Sequence, residues 1–530
     1  MPTSIAPTTV TAANSAPAAG GTGVASSIAV RLFRPSLSDL FFLFFIAWMF
    51  LSSPAGWERL LLDSDTALHL RIGQYVLATH SVPTRDLFAF SKPAEAWYAF
   101  EWLSETAFAF VFSLAGFKGL TLLAGMLIAL CITILLKYTI AKGANGMIGL
   151  VVILLTATAA SIHYFARPHL FTLLFLAITT WVLDFNRRRG GALIWVLVPL
   201  TILWANLHAG FFALFAILGL RVLGCVGEAW FWPEQRIERR REALQLIAVG
   251  AGCALASLVN PYGIHLHLHI LETLDSAWIK DHVSEFKSPS FRREEMFDFM
   301  ILLFAGMACI PSLVRKRSLV EPLWILFLGY CALVSVRHVT IFALVAAPVI
   351  AVELSDWWNG VAARFSKTSL LGILNDVAAQ LTEKMPGTSV FIPLVILGLA
   401  VAPGLYWPTA FPEGGGVPIK LIEAHRDLLA NGRVFTSDQI ADYLIFRNAP
   451  RQKVFLDSRH NYYGEKIGDA YFSILEAGPR WRSLMDEYHL NVALVDADAP
   501  LAAVLQAAGG WRLVAGDDKF VLLERQKEPM

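Results

Sequence analysis

Apolar runs long enough to cross a bilayer recur along this chain, and they constrain its fold more than any other feature. A span needs about 20 apolar residues, and about eleven such runs begin near Leu37, Gly119, Met147, His169, Ala192, Phe211, Leu244, Phe299, Leu319, Val339 and Val390. Only 16% of the 530 residues are charged, against about 25% in soluble proteins. The chain therefore reads as a polytopic α-helical membrane protein. A net charge of +1 without basic tracts points to no nucleic-acid partner. All five cysteines lie in apolar runs and read as packing residues.

Basic residues orient the spans. Residues 1–30, rich in Ala, Thr, Ser, Pro and Gly, read as a disordered cytoplasmic tail. The first run follows Arg31 and Arg34, as an uncleaved signal anchor would. The segment from Trp102 to Leu114 is short for a span. If it stays outside, Lys137, Lys142, Arg187-Arg188-Arg189, Arg236, Arg239-Arg240-Arg241 and Arg315-Lys316-Arg317 all fall in the cytoplasm. If it crosses, all of them move outside, against the positive-inside rule. It is therefore expected to be an outer interfacial helix.

That topology gives a membrane domain over 31–410, with outer loops at 53–116 and 261–296. Residues 355–387 are expected to form a cytoplasmic amphipathic segment, with Trp357, Trp358, Phe365 and Leu371 toward lipid. Beyond the Gly-rich break at Pro412-Glu413-Gly414-Gly415-Gly416 the chain changes character. Short β-rich runs at 433–436, 453–457, 491–496 and 519–523 alternate with helical patterns around Ile440, Trp481 and Leu501. Residues 411–530 are thus expected to be a small extracytoplasmic α/β domain.

The polar chemistry gathers on the predicted outer side. Asp63 and Asp65 stand two residues apart just outside the first span, followed by His69 and Arg71. His163 and His169 flank Arg167-Pro168, His208 sits in a tight turn, and Arg337-His338 fills a short connection. Each has a plain alternative: an aspartate can cap the following helix, a histidine can satisfy a backbone carbonyl, and an arginine can snorkel. His265 and His269 share a helical face as a metal pair would, without a third ligand in view. A carboxylate pair can act as general base or hold a divalent ion such as Mg²⁺ or Mn²⁺. Guanidinium groups at the membrane surface suit a phosphate. Together these needs describe glycosyl transfer from a lipid-anchored phosphosugar.

The run Asp63-Ser64-Asp65 with His69-Leu70-Arg71-Ile72-Gly73, then Val82-Pro83-Thr84-Arg85-Asp86-Leu87-Phe88-Ala89-Phe90-Ser91, Trp97 and Glu101-Trp102-Leu103, resembles a bacterial family of multi-spanning GT-C-like proteins. These are similar to polyprenyl-phosphosugar-dependent glycosyltransferases. The resemblance covers residues 36–350 and extends to Val454-Phe455-Leu456-Asp457-Ser458-Arg459 and Trp511-Arg512-Leu513-Val514. It implies a GT-C-like fold in a bacterial inner membrane, an Asp63 or Asp65 general base, and a polyprenyl-phosphate sugar donor. The acceptor would be an outer-face glycan, lipid or protein.

Arg71, Trp97, Glu101, Arg167, His169, His208, Arg337 and His338 are substrate-binding candidates, with His69 beside the base and Asp63 and Asp65 as possible metal ligands; Asp457 and Arg459 follow a predicted strand and would touch the acceptor or form a local salt bridge. Asp65 is favoured as base because it shares a helical face with His69. Thr66-Ala67-Leu68 departs from the family pattern, where an aromatic residue is expected. Glu105 lies one turn beyond Glu101, as a second acidic patch or a solvated face. Ser104→Ala is expected to be silent. A lipid-linked glycan polymerase or ligase using Arg337 and His338, a transporter, and a non-catalytic protein of the same fold are the competing functions.

Overall fold

The computed structural model describes residues 35–51, 54–385, 391–401, 407–413 and 416–526. The expected cytoplasmic tail and part of the Gly-rich break lie outside them. Among the described residues, six helices are long and apolar enough to cross a membrane: Trp102–Lys142, Gly146–His163, His169–Arg189, Ala209–Phe231, Glu294–Arg315 and Val336–Ala362. Shorter apolar helices cover Leu37–Met49, Leu193–Leu207 and Val320–Val334. The run expected at Val390 yields an 11-residue helix, Phe391–Val401, and that at Leu244 lies within Arg236–Ala256. The chain is a multi-pass membrane protein, and its apolar helices are more uneven in length than the eleven runs suggested.

Trp102–Lys142 has 41 residues, about twice what a span requires. Gly116 breaks it, with φ 59° and ψ −149°, a conformation that a side chain would strain. The part before the break lies against the terminal region: Phe112 meets Phe446 at 6.2 Å between ring centroids. The part after it is central, and so is Val339–Ala362, where Phe342 to Ala351 are all buried. Exposed Phe44, Trp48, Leu223, Trp230, Phe304 and Tyr330 give the helices an apolar outer surface suited to lipid. Trp357, Phe365 and Leu370 are likewise exposed, the last opening the amphipathic helix Leu370–Lys384.

The terminal region holds a four-stranded sheet in the order β1-β2-β4-β3: β1 Val434–Thr436, β2 Val492–Asp496, β3 Trp511–Gly516 and β4 Phe520–Arg525. Only β1 and β2 pair in parallel; β4 runs antiparallel to both β2 and β3. Helices Asp438–Asn448, Trp481–Glu487 and Pro500–Ala507 form where helical patterns stood. The run at 453–457 is a correction: it joins no strand of the sheet. Instead Val454 pairs with the first outer loop, its N–H donating to the Phe88 carbonyl at 2.8 Å and its carbonyl accepting from Phe90 N–H at 3.0 Å. A β-prone run was correctly legible there, but its partner lies some 365 residues away in sequence, which no local pattern reveals.

That pairing reflects a shared core. Ala67, Leu68, Ile72, Phe88, Ala89, Trp97 and Ala99 of the first outer loop pack in one apolar cluster with Phe435, Leu444, Phe455 and Leu494. A separate cluster unites the apolar helices. The first outer loop is thus the floor on which the terminal sheet and its helices are built.

Candidate active site

The site begins with a close helix crossing. Helix Asp65–Thr79 lies against the start of Trp102–Lys142 at Gly73, where a Cβ would stand 2.0 Å from the Glu105 carbonyl oxygen and 2.8 Å from the Ala109 Cβ. Nothing larger than glycine fits this approach. His69 lies one turn before Gly73 on the same face, so the crossing drives its ring onto Glu105, with Nδ1 2.9 Å from Oε1. Glu101, one turn before Glu105, faces the other side of the ring: His69 Nε2 is 3.8 Å from Glu101 Oε2. His208 approaches the second Glu101 oxygen at 3.4 Å. Its Nδ1 receives the Gly210 N–H at 2.9 Å, so Nε2 carries the ring proton toward Glu101.

A second cluster centres on Arg167. Its guanidinium reaches Asp63 Oδ2 at 2.9 Å, Asp65 Oδ2 at 2.8 Å and Glu285 Oε1 at 2.8 Å. The two aspartates are not equivalent. Asp63 spends its other oxygen on the Asp65 N–H at 3.0 Å, capping the helix start. Asp65 keeps Oδ1 without a hydrogen bond among the described residues, on a side chain 20% exposed.

Electrostatics separates the carboxylates. Arg167 holds the Glu285 carboxyl well below the usual range. Burial pushes Asp65 up, against the pull of Arg167. Burial also pushes Glu101 up to about 7, against the pull of His69 and Arg167. For His69 burial opposes a charge, but the Glu105 hydrogen bond and the Glu101 charge outweigh it and raise its proton affinity. His208 is pushed down to about 3, by burial first and then by Arg337 and Arg167.

The other histidine and arginine candidates differ in their partners. His163 Nδ1 lies 2.7 Å from the Thr340 hydroxyl, and His169 donates Nε2–H to the His163 carbonyl. The His163 and His169 rings stand 5.4 Å apart, and those of His169 and His208 6.4 Å apart. Arg337 lies over the Phe286 ring at 4.3 Å and makes no hydrogen bond or ion pair among the described residues. His338 buries Nδ1 without a partner. Beside Glu101, an open cleft of about 560 Å³ is lined by Trp102, Leu103, Leu203, Asn206, Val259 and Asn260.

No protein-family model matches the chain, and no curated protein matches it. Solved structures do. The archaeal oligosaccharyltransferase AglB of Archaeoglobus fulgidus, in complex with an inhibitory peptide and a dolichol-phosphate, superposes with a TM-score of 0.54 at 11% identity, covering 93% of this chain and 74% of that one. The same oligosaccharyltransferase in its apo form gives 0.53 at 10%, over 87% and 69%. The fold is GT-C-like. ArnT from Cupriavidus metallidurans bound to undecaprenyl phosphate is a more distant similarity, with a TM-score of 0.45 at 13% identity over 91% and 97%.

In this GT-C-like chain several sequence expectations find different partners. Arg459 is buried in an ion pair with Asp457 and Asp86 and lies over the Trp97 ring at 4.4 Å. Asp457, Arg459 and Trp97 therefore form a knot between the terminal domain and the first outer loop, with Trp97 only 5% exposed, too covered for a sugar to stack on it. Arg71 donates to the Ala449 carbonyl and the Gln74 side chain, another tie to the terminal domain. His269 meets the Asn461 amide at 2.8 Å while His265 is exposed, so their shared helical face builds no metal group among the described residues. Ser104 is buried, with its hydroxyl 2.7 Å from the Leu207 carbonyl and 2.8 Å from the Glu101 carbonyl.

Asp63 and Asp65 also fit a divalent ion poorly, because Arg167 already stands between their oxygens. Glu285 escaped the sequence reading altogether: a lone carboxylate in a loop, without a periodic partner, carries no local signal.

Proposed function

We propose that this protein transfers a glycosyl group from a polyprenyl-phosphate donor to an outer-face glycan, lipid or protein acceptor, in a bacterial inner membrane with the terminal domain outside. The observation that carries the proposal is that, within a GT-C-like fold, Asp65 keeps one carboxylate oxygen without a hydrogen bond among the described residues, while Arg167 holds the other at 2.8 Å. Asp65 is the general base. Arg167 orients it through Oδ2, leaving Oδ1 to take the acceptor hydroxyl proton. Asp63 orients the base by capping its helix and sharing Arg167. The deprotonated acceptor oxygen forms the new bond to the anomeric carbon while the bond to the lipid phosphate breaks. A single displacement of this kind inverts the anomeric configuration.

Arg337 stabilises the departing phosphate, since its charge is not spent on a carboxylate and its ring partner leaves the N–H groups free. The apolar cleft beside Trp102 takes the lipid chain. Support from similar folds is general: the oligosaccharyltransferase was seen with a dolichol-phosphate and a peptide.

Purified protein, supplied with a polyprenyl-phosphate sugar and an envelope glycan extract, would be followed for labelled sugar in the acceptor. Transfer by wild type and none by Asp65→Asn is the expected result. Undiminished transfer by Asp65→Asn rules out Asp65 as base. If Arg337→Ala alone abolishes transfer while Asp65→Asn does not, the polymerase or ligase chemistry takes over, which the Arg167 clamp on both aspartates favours as the second reading.

A further inference from the structure

We propose that His69 and Glu101, supported by Glu105, form a binding site for one divalent transition ion of the Zn²⁺ or Mn²⁺ class, separate from the aspartate pair. The site is argued from its donor set and does not rest on the transferase reading. His69, Glu101 and Glu105 bring one ring nitrogen and two carboxylate oxygens within 4.8 Å of one another in a buried space. That much marks a cluster, and the detailed geometry makes it a site.

His69 Nδ1 is engaged by Glu105 at 2.9 Å. With the proton on Nδ1, the Nε2 lone pair points toward Glu101 Oε2 at 3.8 Å. That separation is too long for a hydrogen bond. It suits two ligands sharing one ion, because two metal bonds of about 2.1 Å span up to about 4.2 Å. The arrangement Glu105–His69–ion is the carboxylate–histidine–metal relay in which the outer carboxylate fixes the ring and raises its basicity.

Two further features suit a cation at this place. Glu105 Oε2 is buried and has no hydrogen-bond partner, on a residue only 3% exposed. A buried acceptor of this kind is costly unless something positive comes near it. His208 holds the far oxygen of Glu101 through a ring whose tautomer the Gly210 N–H sets, turning Glu101 so that Oε2 faces His69. Two carboxylates and one neutral imidazole carry a net charge of −2, which a divalent ion neutralises.

The contrast with Asp63 and Asp65 sharpens the assignment. There Arg167 supplies the positive charge at 2.8 to 2.9 Å, and a second cation would be repelled. The mixed imidazole and carboxylate donors favour a transition ion over Mg²⁺, which prefers oxygen alone.

The test uses the full chain in detergent, stripped with chelator and titrated separately with Zn²⁺ and Mn²⁺. Bound metal is read by mass spectrometry after gel filtration. Wild type is expected to retain about one ion per chain. Asp63→Asn should retain the same, while His69→Ala and Glu101→Gln should lose the ion. Glu105→Gln, which removes only the outer carboxylate, should weaken binding by about 10- to 100-fold. Glu101→Gln changes shape little and decides the matter if His69→Ala fails to fold. Failure of wild type to take up either metal, or an equal loss in Asp63→Asn and Glu101→Gln, overturns the proposal.

Discussion

The two ends of one helix, His169–Arg189, carry the two charged centres of this protein, and they are built on opposite plans. At its start Arg167 gathers Asp63, Asp65 and Glu285, near Glu101 and Glu105, which no guanidinium touches. At its other end, about 30 Å away by helical rise, Arg187 joins a network in which cations and carboxylates alternate. Arg187 and Arg239 hold Glu228, Arg221 and Arg239 hold Glu242, and Lys142 and Arg188 hold Asp184. Glu228 also accepts the Leu319 N–H at 2.8 Å and so caps the start of the next helix.

In the second centre every carboxylate has at least one cation against it, and the network ties five helix ends together, as a structural clamp should. The first has an excess of carboxylates, one oxygen of Asp65 left free, an unsatisfied Glu105 oxygen and an unpaired Arg337. Imbalance of that kind is costly for folding and useful for chemistry.

The comparison breaks most visibly if each centre is damaged in turn. Glu228→Ala removes a fully buried carboxylate shared by the half-buried Arg187 and Arg239 and should cost about 3 kcal/mol, read as a large fall in thermal unfolding temperature in detergent. Sugar transfer per folded molecule should change little, since the clamp is remote from Asp65. Asp65→Asn should do the reverse: transfer lost, with stability within about 1 kcal/mol of wild type because the amide still accepts from Arg167. If Asp65→Asn unfolds the protein while Glu228→Ala only slows it, the two roles have been assigned the wrong way round.

Gly73→Ala lies between these extremes. Its Cβ would collide with the Glu105 backbone, so a loss of about 1–3 kcal/mol is expected together with loss of the His69–Glu105 contact. A metal titration and a melting curve on the same sample would separate the two effects.

A milder test is acid. Burial alone would raise the Asp457 carboxyl, but Arg459 and the Tyr463 hydroxyl bring it below its ordinary value. Its contribution to stability is therefore fully present above the unfolded value of about 3.9 and fades as pH falls through the lower folded one. Fluorescence of Trp97, which lies beside Arg459, should report release of the terminal domain only in that acid range. Release near neutral pH would show that the Asp457–Arg459 pair is not what holds the domain down. Smallest of all, Ser104→Ala removes one hydroxyl proton shared between two backbone carbonyls and should cost about 1 kcal/mol.

Much of the outer site was legible as composition and spacing. Asp63, Asp65 and His69 stand in one short segment, and Glu101 and Glu105 differ by one helical turn, so local periodicity already placed each pair on a face. The charge bias of the loops put Arg167, His208 and Arg337 on the same side. The grouping was not legible. Glu285 comes from the second outer loop with no neighbour to mark it. Gly73 reads as an ordinary helix-weakening residue until the crossing is seen. Asp457 and Arg459 follow a predicted strand, where a ligand contact and a local salt bridge were both open; the salt bridge forms, and Arg459 extends it to Asp86 and lies on Trp97. The run at 453–457 looked like a strand of the sheet and instead joins the loop beneath it.

By itself the sequence determined that this is a multi-pass helical membrane protein with a small mixed sheet near its C-terminus, and that its polar residues favour one face. Those properties follow from hydrophobic runs and from periodicity, which act over a few turns of chain. Only the tertiary structure decided that Asp65 has the free oxygen and Asp63 the capping role, that Arg167 occupies the space between them, and that His69 turns toward Glu101 and Glu105. The reason is physical: which charge neutralises which depends on distances of a few ångströms between segments 36 to 118 residues apart, and the close helix crossing at Gly73 sets the His69–Glu105 distance.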